Sequence, residues 1–185
     1  MLAHARALVD ARFAAIEVPT NSPDWAESVR RLAAELRDGP EVGAGTVLRL
    51  EDVDALAATG ARLLVTPNTD ATIVRRAKEK GLRTVIGAMT PTEVLAAVAA
   101  GADAIKIFPA SVVGPGFARI VRAVLPREVP LYAVGGVRPD NLAEYAGKGW
   151  AGFGLGGELY KPGQSAADTA VKAAGFRRAW AALPA

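Results

Sequence analysis

Two rhythms of apolar residues alternate along this chain. Short runs rich in Val, Ile, Leu and Ala are separated by longer stretches whose apolar positions return every three or four residues. The short runs read as buried strands and the long stretches as amphipathic helices. A helix over 2–11 comes first, then a strand at 14–18 (AAIEV), closed by Pro19 and the turn Asn21-Ser22-Pro23. Trp25, Val29, Leu32, Ala33 and Leu36 make the stripe of a helix over 24–37, which Asp38-Gly39-Pro40 stops. Further strands are predicted at 42–48, 63–66, 83–88, 104–108, 130–134 and 152–155. Helices are predicted over 51–58, 69–80, 138–147 and 165–182, with another following Gly114-Pro115-Gly116. One more opens at Thr90-Pro91-Thr92-Glu93, where Thr90 caps, Pro91 takes the first position and Glu93 completes a capping box before the stop at Gly101.

A strict strand–helix series with apolar strands implies parallel pairing and helices on the outside. No Pro/Gly/Ser-rich linker interrupts it, so residues 1–185 read as one α/β domain. A closed (β/α)₈ barrel needs eight strands. This chain supplies seven and begins with a helix, so the expectation is a barrel shortened by one strand at the N-terminus.

Chemistry in such barrels sits at the C-terminal ends of the strands. Lys106 lies in the apolar run Ala104-Ile105-Lys106-Ile107-Phe108-Pro109. Facing a barrel interior, it loses hydration, its pKa falls, and part of it becomes the neutral amine that attacks carbonyls. Facing outward, it is a strand-end lysine that snorkels to water or pairs with a carboxylate. Glu17 stands between Ile16 and Val18. Partial desolvation would raise its pKa and suit it to proton transfer; its alternative is a structural ion pair, with Lys106 as one partner. Thr46 offers a hydroxyl to a substrate carboxylate or is merely a satisfied strand threonine. Gly135-Gly136 and Gly156-Gly157 end the last two strands, where backbone N–H groups and a short helix N-terminus commonly hold phosphate. Glu158-Leu159-Tyr160 could supply that helix. Tight turns explain glycine pairs as well.

Composition narrows the chemistry. There is no cysteine, which excludes a cysteine nucleophile, and a single histidine, His4, placed in the first helix, so a transition-metal site is not expected; Glu and Asp alone could bind a divalent cation, but no paired carboxylates cluster at the strand ends. His4, Trp25, Trp150 and Trp180 read as surface or packing residues. The net charge of +3 and 6% aromatic content are not a nucleic-acid footprint. The basic cluster Arg75, Arg76, Lys78, Lys80 and Arg83 reads as a solvated helix face. No apolar run approaches the roughly 20 residues that span a bilayer, and the N-terminus lacks a signal peptide's apolar core. The expected compartment is the cytoplasm.

The stretches IEVPTNSPDW, VGAGTVL, LLVTPN, AIKIFPAS, AVGGVRPDNL and GLGGELYKPGQS, in this order, resemble the bacterial KDPG and KDPGal aldolases, which act on 2-keto-3-deoxy-6-phosphogluconate and its galactonate epimer. The resemblance implies a class I aldolase barrel with no metal or organic cofactor. It implies that Lys106 forms a Schiff base and that Glu17 shuttles protons. Thr46 and Phe108 would line the pyruvate pocket, and the loops at Gly135, Gly136, Gly156 and Gly157 would hold phosphate. Asn21-Ser22-Pro23, Val134 before the glycine pair, and the ending Leu159 to Ser165 resemble the galactonate branch. The implied partners are a phosphorylated 2-keto-3-deoxy sugar acid and pyruvate, in a homotrimer. Gly157 stands where family members often carry serine. The family also begins with a strand whose arginine helps hold the substrate carboxylate, and this chain starts after that strand. A KDPG or 4-hydroxy-2-oxoglutarate aldolase, or an inactive shortened barrel, are the competing expectations.

Overall fold

A computed structural model describes residues 1–183. Seven strands form one parallel sheet in sequence order: β1 (Ala15–Pro19), β2 (Glu41–Gly45), β3 (Leu63–Val65), β4 (Arg83–Ala88), β5 (Ala104–Ile107), β6 (Leu131–Val134) and β7 (Gly152–Gly154). The helices between and around them are α1 (Leu2–Asp10), α2 (Trp25–Glu35), α3 (Leu50–Ala57), α4 (Ala71–Glu79), α5 (Pro91–Ala99), α6 (Ala110–Val113), α7 (Phe117–Val121) and α8 (Ala166–Ala181). The sheet curls as an incomplete barrel: β1 and β7 are its two ends, and α1 packs on α8.

Register assigns every strand residue to one of two faces, because side chains alternate along a strand. Glu17 pairs with Gly43, Gly43 with Leu63, Leu63 with Arg83, Gly87 with Lys106, Lys106 with Tyr132, and Val134 with Gly154. These residues share the inner face. The opposite face carries Ile16, Val42, Ala44, Leu64, Ile86, Ile105, Ile107 and Leu131, which form one buried cluster with Val29, Leu32, Val53, Leu56, Val74 and Val94 from the helices. Apolar burial is therefore concentrated between sheet and helices.

Local signals mostly do what the sequence asks of them. Thr90 and Glu93 form the complete capping box at α5. Gly81 and Gly101, with φ of 71° and 98°, stop α4 and α5 in the left-handed conformation that glycine adopts freely. Arg76 binds Asp54 and Glu79, while Lys78 and Lys80 bind Asp103 and Asp54, so much of the basic cluster is a solvated ion-pair face. His4 packs edge-on to Tyr160 and hydrogen-bonds Thr169, and Trp150 donates to the Pro115 carbonyl.

Most boundaries shift by a residue or two, and three expectations differ by more. β2 stops at Gly45 rather than running to 48, because Thr46 turns left-handed with φ of 56°. The stretch after Pro109, where no helix is predicted, holds the four-residue α6. The helix expected over 138–147 is reduced to a 3₁₀ turn at Leu142–Tyr145. There the Asn141 side chain accepts from the Arg138 N–H and donates to the Gly136 carbonyl, giving the backbone an alternative to helix.

Candidate active site at the strand ends

Lys106 faces the lumen from β5 with only 9% of its surface exposed. Burial pushes its ammonium below the ordinary lysine range, and the Glu17 carboxylate partly restores it. The Phe108 ring, still 38% exposed, stands at the mouth, its centroid 5.1 Å from Nζ. The amine is therefore held inside, beside an aromatic face, rather than extended into water, and a lysine placed so is chemically able to attack a carbonyl when neutral.

Glu17 faces the same lumen from β1. Crowding by the surrounding barrel pushes its carboxyl above the usual range, and the Lys106 ammonium pulls it back. Glu17 nevertheless keeps an open surface, so water tempers the upward push. A carboxyl raised in this way is better suited than an ordinary one to accept and return a proton. Its seat is on the neighbouring strand: a Cβ placed on Gly45 would overlap the Glu17 carboxylate.

Thr46 follows directly, held in left-handed backbone that costs a threonine about 1–3 kcal/mol. Thr20 secures it. The Thr20 hydroxyl donates to the Thr46 carbonyl at 2.6 Å, and the Thr20 N–H donates to the Gly45 carbonyl at 2.9 Å. Strain of this kind at a strand end is characteristic of functional sites.

The glycine pairs fall at the adjacent ends of β6 and β7. Gly135 and Gly136 have φ of 90° and 79°. A Cβ on Gly135 would lie 3.3 Å from the Phe108 ring, and one on Gly136 would strike the Ser111 side chain at 2.6 Å. Val134 is half-buried on the inner face and leans over Gly154. Gly156 and Gly157 are exposed, with open space where side chains would stand. The helix expected at 158–160 is a single turn, closed by Leu159 and Tyr160 N–H groups donating to the Gly156 carbonyl. The next helix, α8, is already capped by Ser165 and carries Asp168 in its first turn. Any phosphate here would meet loop backbone rather than a helix N-terminus. Among the described residues no group of three His, Asp or Glu could hold a metal ion.

Sequence reasoning passed over Thr20, Gly45 and Ser111. Their importance lies in contacts between neighbouring strands; the one local hint was glycine inside an apolar strand at Gly45.

The family model for KDPG and KHG aldolase matches residues 1–167. This chain belongs to the KDPG and KHG aldolase family. It is 47% identical, over 97% of its length and 87% of the relative's, to the 2-dehydro-3-deoxy-6-phosphogalactonate aldolase of Escherichia coli K12. It is 31% identical, over 88% of its length and 77% of the relative's, to the 2-dehydro-3-deoxy-phosphogluconate aldolase of Treponema pallidum. A solved native KDPGal structure superimposes with a TM-score of 0.94 at 47% identity, covering 97% of this chain and 87% of the other. The barrel expected from the strand–helix series, and the aldolase type implied by the resemblance, are thus the fold found. Within this family member, the motifs that carry the resemblance lie at strand ends: the GAGT stretch on β2, the KIFP stretch on β5 and the VGG stretch on β6.

Proposed function

We propose that this aldolase-family chain cleaves 2-dehydro-3-deoxy-6-phosphogalactonate to pyruvate and glyceraldehyde 3-phosphate through an imine on Lys106. The observation that carries the reading is the buried Lys106 amine, depressed below its ordinary pKa, on the same lumenal face as Glu17. The neutral amine adds to the C2 ketone, and loss of water gives an iminium, which is an electron sink. Glu17 takes the C4 hydroxyl proton, directly or through a water. The C3–C4 bonding pair moves into the iminium, leaving an enamine and releasing glyceraldehyde 3-phosphate. Glu17 returns its proton to C3, and water hydrolyses the pyruvate iminium back to the free amine. Thr46 and Phe108 line the pyruvate end, Val134 lines the substrate pocket beside them, and the loops at Gly135, Gly136, Gly156 and Gly157 receive the phosphate.

Identity to the galactonate-phosphate relative, well above that to the gluconate relative, supports this epimer. Val134 and Asn21-Ser22-Pro23 support it too. We read the assembly as a homotrimer in the cytoplasm. The apolar residues Val112, Ile120 and Val124, 64%, 70% and 59% exposed, support self-association, and no helix of the described residues is long and apolar enough to cross a membrane. Two observations favour a second reading, an inert barrel: among the described residues the sheet has two unpaired ends, and Glu17 is open to water.

Pyruvate release from each C4 epimer, with borohydride trapping of pyruvate on the protein, decides between them. The proposal expects a reduced pyruvate adduct on the peptide of Lys106 and faster cleavage of the galactonate epimer. An unmodified Lys106 peptide, with no pyruvate released, would support the inert barrel.

A further inference from the structure

We infer that Gly45 is a positioning residue for the reaction: the space left by its missing side chain is the seat of the Glu17 carboxylate. This rests on the reading of Glu17 as the proton carrier. Register explains the geometry. Glu17 pairs with Gly43 and Pro19 pairs with Gly45, so Gly45 is the diagonal neighbour of Glu17 on the inner face. Diagonal neighbours lie within reach of a long side chain. The Glu17 side chain leans along the sheet toward the strand ends and lays its carboxylate over the Gly45 backbone. The three atoms nearest a Cβ on Gly45 are Oε2, Cδ and Oε1 of Glu17.

The usual reasons for glycine do not apply here. Gly45 has no positive φ, so its backbone would accept alanine. Glycine inside a strand costs about 0.5–1 kcal/mol relative to alanine, so local propensity favours the larger residue. Two other inner-face glycines have a different cause: a Cβ on Gly43 would overlap the Leu63 backbone, and one on Gly87 the Pro67 backbone. Those two are glycine so that the chain can close. At Gly45 the space is filled by the free end of a reacting side chain.

The floor of the seat is fixed. The Gly45 carbonyl accepts from the Thr20 N–H, and the Thr46 carbonyl accepts from the Thr20 hydroxyl. A methyl group on residue 45 therefore cannot be absorbed by the strand, whereas the carboxylate can swing away at little conformational cost. Gly45→Ala separates the placement of the base from the integrity of the fold.

The test compares wild type, Gly45→Ala, Glu17→Gln and the double variant. It reads kcat and KM for cleavage, pyruvate trapping on Lys106, and the melting temperature. Misplacing a reacting group by about 1 Å costs on the order of 100-fold, so Gly45→Ala is expected to lower kcat roughly 10- to 100-fold. KM should stay within about threefold, as for an interaction made only in the transition state. Trapping on Lys106 and melting temperature should be retained. The double variant should be no slower than Glu17→Gln alone, since both changes disable one group. A Gly45→Ala kcat within about twofold of wild type, or full additivity in the double variant, overturns the inference. So does a lowered melting temperature with a lost Lys106 adduct, which would place the methyl against the strand and not the carboxylate. A Glu17→Gln enzyme with undiminished kcat overturns the underlying role of Glu17, a distinct failure that removes the function of the seat with it.

Discussion

Replacing Asp103 by alanine is expected to cost this enzyme much of its heat resistance while leaving its chemistry nearly intact at room temperature. Asp103 precedes β5, three residues before Lys106. Its carboxylate accepts from the Thr84 N–H at 2.8 Å and the Thr84 hydroxyl at 3.0 Å, and it pairs with Lys78 Nζ at 2.7 Å. The Thr84 hydroxyl in turn accepts from the Asp103 N–H at 3.0 Å. The arrangement ties the start of the lysine strand to β4. Burial alone would raise the Asp103 carboxyl, but Lys78 and the two Thr84 donors outweigh it and hold the pKa below the usual range.

The contributions differ in size. The pair with Lys78 is partly exposed on both sides, at 40% and 33%, and such pairs are worth about 0–1 kcal/mol. Thr84 is fully buried, so losing the carboxylate leaves its N–H without a partner and its hydroxyl with one bond fewer. An unsatisfied buried donor costs about 1–3 kcal/mol. Asp103→Ala should therefore cost roughly 2–4 kcal/mol, or about 5–15 °C in Tm for a chain of this size. Lys78→Ala should cost no more than about 1 kcal/mol, or about 2–4 °C. Asp103→Asn, whose carbonyl still accepts from Thr84, should fall between them. Because the folded pKa is depressed, this contribution is present above the unfolded value of about 3.9 and is lost as pH falls through the folded one. Urea titration and thermal melts of the three variants, with kcat at 25 °C as control, provide the check. A Lys78→Ala variant as unstable as Asp103→Ala would refute the reasoning, because the surface pair would then carry what is assigned to the buried donors.

Three further outcomes follow from the site. Glu17→Gln should shift the pH midpoint of pyruvate trapping on Lys106 to lower pH, since the Glu17 charge is what holds that amine up against burial. The same variant should gain stability relative to wild type as pH rises. The raised carboxyl makes the folded state bind more protons than the unfolded one between its ordinary and raised pKa, so wild-type stability falls with pH across that window. Its Tm advantage should be larger near about pH 8 than near about pH 4, and an equal advantage at both would count against a raised Glu17. Thr20→Val keeps the shape but removes the 2.6 Å bond that secures the strained Thr46. A neutral bond is worth about 0.5–1.5 kcal/mol net, so KM should rise about 2- to 13-fold. An unchanged KM would mean that Thr46 holds its conformation without Thr20.

Much of this site was legible before any coordinates, and the illegible part has one cause. Lys106 and Glu17 declare themselves within their own strands, because a charge flanked by β-branched apolar residues is locally anomalous. The helix stop at Gly101 and the cap at Thr90 are equally local. Thr20, Gly45 and Ser111 carry no such mark. Thr20 matters because β1 and β2 pair in a register that brings its hydroxyl under Thr46. Ser111 matters because α6, too short to show a helical period, sets it against Gly136 across the β5–β6 boundary. The helix expected at 138–147 failed for a related reason. Apolar spacing permitted it, but one asparagine side chain holds the Arg138 and Gly136 backbone groups instead.

The inner face shows why sequence pattern and function part company here. Barrel interiors are ordinarily filled by layers of branched side chains. Around Lys106 this one is emptied: Gly43, Gly45, Gly87, Gly152 and Gly154 all fall on its face by register. Each forfeits burial, and the outer face makes up the difference with Ile86, Ile105, Ile107 and Leu131, none of which has exposed surface. A chain divided in this way can give its lumen to reactants because its stability lies elsewhere. The five glycines are not equivalent, however. Where the missing Cβ would meet backbone, as at Gly43 and Gly87, alanine should break the sheet. Where it would meet a side chain that the proposed reaction uses, Glu17 at Gly45 and Val134 at Gly154, alanine should leave the sheet and disturb the chemistry. Melting curves and turnover numbers for alanine at these four positions should therefore fall into two pairs, each losing what the other keeps. A single graded series, with stability and activity declining together, would mean that the lumen and the sheet are not separable in this way.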